Sequence, residues 1–423
     1  MSVKRLLYTI LLYLVFPLVI LRLLWRSRES PAYRQRFFER LGFVRRDCEL
    51  PIIWVHAVSV GETIAAKPLI ESLLTQYPNH RLLLTCTTPT GSEQVRRLFA
   101  DRVLHFYFPY DLPEILFRFL KRIEPQIVII IETEIWPNLY AACYKRNIPI
   151  IIANARLSPR STQSYLKIKS LVANTLAKAS LIAVRSAADR DNFILLGADK
   201  DKTIVAGNIK FDLKKDERQV KAGRQRRLEW GGERQVWVAA STHKGEDKKI
   251  LKIHNDLLKV FPQLLLIIVP RHPERFDEVY QLCCDDEHLI TKRHSKMKSY
   301  QNTENLNIIV GDSMGEMQSW FAAADVVFMG GSLVETGGHN PLEATIQGVP
   351  VVSGEYMFNF EDISTELINN ELLFTCKTLE QLERKVTELL KSNNDYFEQK
   401  ADEVMTQHRG VTARLSESIS ALL

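Results

Sequence analysis

Five consecutive β-branched residues, Ile127-Val-Ile-Ile-Ile131, and a second apolar run, Ile148-Pro-Ile-Ile-Ile152, constrain this chain more than any other feature. A strand with one wet face alternates apolar and polar residues. A strand apolar at every position is covered on both faces, as in a parallel sheet flanked by helices. Further short strand-like stretches at 52–57, 81–85, 103–108, 181–184 and 203–206 alternate with amphipathic ones, among them 63–76, 91–99, 113–122 and 187–196. Residues 213–234 then turn strongly charged and end near Gly231-Gly232, which reads as a linker holding a helical piece. The rhythm restarts with strands expected at 236–240, 264–269, 307–310, 325–329 and 350–353, and helix after Thr378 closes the chain. Repeated strand–helix units on both sides of a linker predict an α/β protein of two Rossmann-like domains. Such sheets bind ligands at the carboxyl ends of their strands, so the chemistry is expected in a cleft between the two halves. The length of 423 residues suits two domains. The expected divisions are an anchor over 1–28, a first domain over 29–212, the linker, and a second domain over 235–423.

The net charge of +6 is unevenly placed: residues 1–46 hold ten Lys or Arg against two acids, so the remainder is slightly acidic. A nucleic-acid binder carries its basic stripe on the folded domain, so none is expected as a partner. A basic stretch beside an apolar one points to anionic lipid. Residues 6–21, LLYTILLYLVFPLVIL, are uncharged, with Lys4 and Arg5 before them and Arg22, Arg26 and Arg28 after. As helix they reach about 24 Å against a hydrocarbon core of about 30 Å, marginal for a span. No small-residue cleavage site follows, against a removed signal peptide. The heavier positive cluster lies C-terminal, which puts the body on the cytoplasmic side. Residues 31–46 interleave aromatics with arginines and read as a helix, lying either at the membrane interface or on the first domain. None of the six cysteines forms a C-x-x-C pair, consistent with reduced thiols in the cytosol.

Six segments carry candidate chemistry. Trp54-Val-His-Ala-Val-Ser-Val-Gly-Glu62 runs from a strand end through Ser59 and Gly61 into a helix expected to open at Thr63. Its free N–H groups form a natural anion pocket, and Glu62 reads as either a dipole-stabilised cap or a catalytic base. His56 reads as a packed strand residue. Glu132-Thr-Glu134-Ile-Trp-Pro-Asn138 places two acids at the end of a very apolar strand, where an unpaired buried carboxylate is costly. Gly207-Asn-Ile-Lys210-Phe-Asp212 offers Lys210 to an anion or to solvent. Pro270-Arg271-His272 delivers a guanidinium whose fork matches phosphate. Asp312-Ser313-Met314-Gly315 is a turn with available N–H groups. Gly330-Gly-Ser-Leu-Val-Glu-Thr-Gly337-Gly338-His339-Asn340-Pro-Leu-Glu343 lets backbone approach a ligand closely, with Glu343 able to accept from ribose hydroxyls. The chain lacks a P-loop, an H-E-x-x-H motif and a nucleophile elbow, and shows no acid pair spaced for a divalent metal.

Taken in order, the N-terminal anchor, WVHAVSVGE, ETEIWPN, GNIKFD, PRHPERF, GDSMGEM and GGSLVETGGHNPLEA resemble the bacterial 3-deoxy-D-manno-octulosonic acid (Kdo) transferase family over nearly the whole chain. The resemblance implies a GT-B fold and an inverting transfer of Kdo from CMP-Kdo to a lipid A precursor in lipopolysaccharide biosynthesis. It implies no metal and no cofactor, and a place at the cytoplasmic face of the inner membrane. Carried over by position, Glu62 matches the general base, and Glu132 and Lys210 match groups that steady the transition state. Pro270, Arg271, Ser313, Met314, Gly315, Gly337, Gly338, His339, Asn340 and Glu343 match the CMP side. Ser59 and Gly61 form the candidate acceptor or anion pocket. The competing readings are a nucleotide-sugar epimerase or another GT-B enzyme, and a membrane-tethered binding or scaffold protein with a degenerate cleft.

Overall fold

The computed structural model describes residues 2–29, 31–213, 215–297, 303, 305–392 and 394–423. They form two compact units, Met1–Asp212 with His408–Leu423, and Leu213–Gln407. The first unit holds β1 (Ile52–His56), β2 (Arg81–Cys86), β3 (Leu104–Tyr107), β4 (Pro125–Ile131), β5 (Ile150–Ala155), β6 (Leu181–Val184) and β7 (Thr203–Val205). They make one parallel sheet in the order β3-β2-β1-β4-β5-β6-β7. The second unit holds β8 (Val236–Thr242), β9 (Leu265–Pro270), β10 (Thr291–Arg293), β11 (Ile308–Val310), β12 (Val326–Met329), β13 (Val351–Ser353) and β14 (Leu373–Thr375), in the order β10-β11-β9-β8-β12-β13-β14. Chain direction across each sheet reverses beside its first strand, at β1/β4 and at β8/β12. Those two points are where open α/β sheets leave room for a ligand.

The expected strands form with ends displaced by at most two residues, because buried apolar runs leave little freedom of register. β10 and β14 were not anticipated: at three residues each, on the sheet edges and partly exposed, they carry too little pattern to read. In the first sheet Ile52, Trp54, Val128, Ile130 and Ile152 pack on one side. Ile53, Val55, Ile129, Ile131 and Ile151 pack on the other, together with Val411, Leu415 and Ile419 of the last helix, Val411–Ser420. Burial of each of those three side chains contributes about 1.5–3 kcal/mol toward holding that helix on the first unit. Asp212 fixes its start by accepting from the N–H groups of Gly410 (3.1 Å) and Thr412 (2.7 Å). In the second unit the helix Glu217–Glu229 packs on Met317–Phe321, with Gly223 against the Ser319 carbonyl and Arg227 paired with Asp325 at 2.8 Å.

The N-terminal helix Val3–Glu29 is long and apolar enough to cross a membrane. The segment after it does not form the expected long helix. Only Pro31–Tyr33 and Phe37–Arg40 are helical, because Arg36 adopts a left-handed conformation (φ 56°) that stops propagation. Its arginines turn inward: Arg36 donates to the His105 carbonyl (2.6 Å), Arg40 to that of Thr87 (2.8 Å) and Arg46 to that of Leu50 (2.8 Å). These contacts pack the segment on the first unit.

Candidate active site

The helix after β1 opens at Val60, three residues before the expected start, because Ser59 caps it. Glu62 therefore occupies the third position of the first turn and folds back over the cap. Its Oε2 accepts from the Val58 N–H at 2.6 Å and its Oε1 from the Ser59 hydroxyl at 3.3 Å. This is a variant of the capping box, with the carboxylate reaching one residue further back than usual. Burial pushes the Glu62 carboxyl up to about 8, against the Val58 N–H that favours the charged form. The charges of Glu132 and Glu134 add to the rise. A Cβ at Gly61 would meet nothing nearer than the Ser59 hydroxyl oxygen at 3.9 Å. The glycine is thus not required by crowding, and it leaves the backbone of this turn open to close approach.

β4 ends one residue before Glu132, whose φ of 61° is left-handed, and β5 carries Asn154 at φ 56°. Two non-glycine residues in that region on neighbouring strand ends mark a site where local conformation is set by its surroundings. Glu132 pairs with the Lys210 ammonium at 3.2 Å. Lys210 lies on the short turn Ile209–Phe211, which packs against the Glu62 helix. The turn is fastened by Asn208, which accepts from the Lys210 N–H (3.1 Å), and by Asn154, which accepts from the Ile209 N–H (3.0 Å). Asn154 is buried, and among the described residues its amide nitrogen has no hydrogen-bond partner. Burial, with Glu132 adding, pushes Glu134 up to about 7. His56 stacks on Phe108 at 3.9 Å and is held neutral by burial, which lowers it to about 3. It is a packed strand residue.

In the second unit the organising residue is Glu246, which sequence reasoning passed over. Fully buried, it accepts from four backbone N–H groups: His243 (2.8 Å), Gly331 (2.7 Å), Ser332 (3.1 Å) and Leu333 (2.9 Å). It thereby ties the turn after β8 to the glycine-rich loop after β12. Gly330 crosses directly over the Ser241 carbonyl, where a Cβ would clash. Gly337 and Gly338 have φ of 93° and 71°, and side chains there would strike Asn359 and Met357. Pro270 is the buried last residue of β9, and Arg271 beyond it is exposed. Among the described residues the Arg271 guanidinium has no ion-pair partner, whereas nearby Arg275 is committed to Asp247. The charge of Arg271 is felt at both His339 and Glu343. His339 stacks on His243, their Nε2 atoms 2.9 Å apart, and burial followed by Arg271 lowers it to about 4. Burial raises the Glu343 carboxyl, opposed by Arg271 and by Asn340. Arg271, His339, Asn340 and Glu343 thus come together. Ser313, Met314 and Gly315 form a turn, with Met314 exposed and Gly315 left-handed, before a helix of only five residues, Met317–Phe321. Its neighbour Glu316 is occupied by His294 at 2.7 Å.

Two parallel seven-stranded sheets, one with acids at its reversal point and the other with glycine loops and a free arginine, define a glycosyltransferase of the GT-B class. Residues 35–213 match the family described as 3-deoxy-D-manno-octulosonic-acid transferase, and residues 233–404 match glycosyl transferases group 1. The chain is 41% identical to the 3-deoxy-D-manno-octulosonic acid transferase of Haemophilus influenzae, over 99% of each chain. Among solved structures, MurG of Acinetobacter baumannii (14% identity, 88% of this chain and 99% of that one, TM-score 0.54) shares the fold. So does UDP-GlcNAc 2-epimerase from Neisseria meningitidis (14% identity, 88% and 100%, TM-score 0.52). The chain belongs to the Kdo transferase family.

Proposed function

We propose that this protein transfers Kdo from CMP-Kdo to a lipid A precursor, lipid IVA, with inversion and release of CMP, at the cytoplasmic face of the inner membrane. Glu62 is the general base. It takes the proton of the acceptor hydroxyl as that oxygen bonds to the anomeric carbon of the donor. The bond from that carbon to the phosphate oxygen breaks, and its electron pair leaves with CMP. The observation that carries this reading is the Glu62 carboxyl, raised to about 8 beside the Lys210–Glu132 pair. An ordinary glutamate is too weak a base for a hydroxyl; one tuned near the working pH contributes about 10²–10⁴-fold.

Lys210, oriented by Glu132, supplies positive charge for the donor carboxylate. Arg271 and the backbone around Gly337-Gly338-His339-Asn340 hold the phosphate, and Glu343 accepts from the ribose. Ser59 and Gly61 border the acceptor pocket. Pro270 and the Ser313-Met314-Gly315 turn border the nucleotide. CMP is a good leaving group, so fixed cationic and N–H donors suffice to steady its departure without a metal. Anionic lipid at the inner leaflet attracts the basic N-terminal segment.

The test is transfer of radiolabelled Kdo from CMP-Kdo to a tetra-acylated lipid A precursor by purified protein in the presence of EDTA. Product is expected with EDTA present. Activity that disappears with EDTA and returns with Mg²⁺ would overturn the metal-free reading. Product on no lipid A precursor, with CMP still bound, would overturn the acceptor.

A further inference from the structure

The N-terminal helix has two opposed sides. Tyr8 donates to the Asp111 carboxylate at 2.9 Å, and Thr9 donates to the Asn138 side chain at 3.1 Å. Tyr13 donates to Glu114, and Phe16 sits edge-on to Tyr110 at 5.2 Å. At about 100° per residue these four lie on one side of the helix. Leu7, Leu11, Leu14, Leu18, Leu21 and Trp25 recur at spacings of three and four on the opposite side, each between 58% and 70% exposed. The docked stretch covers about 12 Å of helix and the apolar stripe about 27 Å.

The docking partners belong to the body of the first unit. Asp111 is buried and also accepts from the N–H groups of Asn138 (3.1 Å) and Leu139 (2.7 Å), fixing the start of the helix Pro137–Tyr144. A helix crossing the bilayer would carry Asp111, Glu114 and Asn138 to hydrocarbon depth, where carboxylates and unsatisfied polar groups are costly. The alternative is to undock and take the Tyr8 hydroxyl bare into lipid, the Thr9 hydroxyl keeping its 2.8 Å bond to the Arg5 carbonyl. Neither cost arises if the helix lies in the membrane plane. The stripe then enters one leaflet, and Lys4, Arg22 and Arg26, all exposed, stay at the level of anionic headgroups.

We propose that the N-terminal helix is an in-plane anchor that dips into a single anionic leaflet. The N-terminus then stays on the same side of the membrane as the catalytic body. This rests on the membrane location proposed above. The test is a full-length Ser2→Cys variant treated with a membrane-impermeant maleimide in sealed spheroplasts and in inverted vesicles, with labelled peptides read by mass spectrometry. Ser2 is exposed, and native Cys48, partly exposed, reports the side of the body. Labelling of the introduced N-terminal thiol and of Cys48 together in inverted vesicles, with both protected in spheroplasts, is the expected result. Labelling of the introduced thiol in spheroplasts while Cys48 is protected would overturn the proposal and establish a span. Recovery of the protein in the soluble fraction would remove the membrane location itself, and the anchor with it.

Discussion

At the β1/β4 reversal the proposed working groups are side chains, Glu62, Glu132 and Lys210, with Glu134 near them, and the Glu62 and Glu134 carboxyls are raised to about 8 and about 7. At the β8/β12 reversal they are largely backbone, a loop of four glycines within nine residues gathered on the buried Glu246. On the function proposed above, the same topology serves two tasks. Moving a proton needs a titratable group desolvated and set among like charges. Holding a phosphate and nucleoside needs N–H groups and close approach, which a side chain obstructs. A carboxylate does different work at each point: Glu62 is partly exposed and takes two donors, whereas Glu246 spends all its capacity on four N–H groups.

Variants that strike one point and spare the other break this comparison most sharply. Glu62→Gln should lower kcat for Kdo transfer by about 10²–10⁴-fold. CMP affinity, measured by calorimetry, should not change. Loss of CMP binding would show that the two points do not divide the work. The same substitution has a stability signature. Because the Glu62 carboxyl is raised, the folded state holds an extra proton between the ordinary glutamate value and about 8. The wild type therefore loses stability as pH climbs through that window, and Glu62→Gln escapes the loss. The Tm advantage of the variant should grow from mildly acidic to mildly alkaline buffer.

Glu246→Ala is the mirror experiment. It leaves the N–H groups of Gly331 and Ser332 unsatisfied in the interior, at about 1–3 kcal/mol each in the extreme, and those of His243 and Leu333 half-buried without their acceptor, so CMP affinity and Tm should both fall. An unchanged CMP affinity would contradict the organising role. Gly61→Ala should separate folding from function. The site has room and lies in a helix, where Ala is favoured over Gly by up to about 1 kcal/mol. Tm should therefore hold or rise while acceptor KM rises, because the added methyl occupies the approach. The smallest effect is expected for Asn154→Gly, which keeps the left-handed backbone but removes the acceptor for the Ile209 N–H. Transfer should fall about tenfold as Lys210 loses its fixed turn, the size of a one-hydrogen-bond loss. Affinity for CMP itself, which lacks the Kdo carboxylate, should be unaffected.

Much of this was legible in the sequence. The strands could be read because unbroken runs such as residues 127–131 admit only a doubly covered position. The reversal-point acids stood out because they interrupt such runs. The start of the Glu62 helix was misjudged, although Ser59 and Glu62 carry the cap signal, because Val60 and Gly61 look like a turn. Glu246 follows β8 through a Gly-Glu pair as Glu62 follows β1, but its polar neighbours His243 and Lys244 masked it. Asn154 was passed over as well: its one signal is a polar residue directly after an apolar run. The return of residues 408–423 to the first sheet had no local signal, since an apolar helix face does not name its partner. Inward-turning arginines likewise defeated the helix expected over residues 31–46.

The most direct test of the Glu62 assignment is the pH dependence of kcat/KM for Kdo transfer, followed from about pH 5 to about pH 9. The account predicts a tenfold rise per pH unit that levels off near pH 8, where Glu62 releases its proton, and the loss of this limb in Glu62→Gln. A profile that is flat over this range, or an identical limb in the variant, would contradict it.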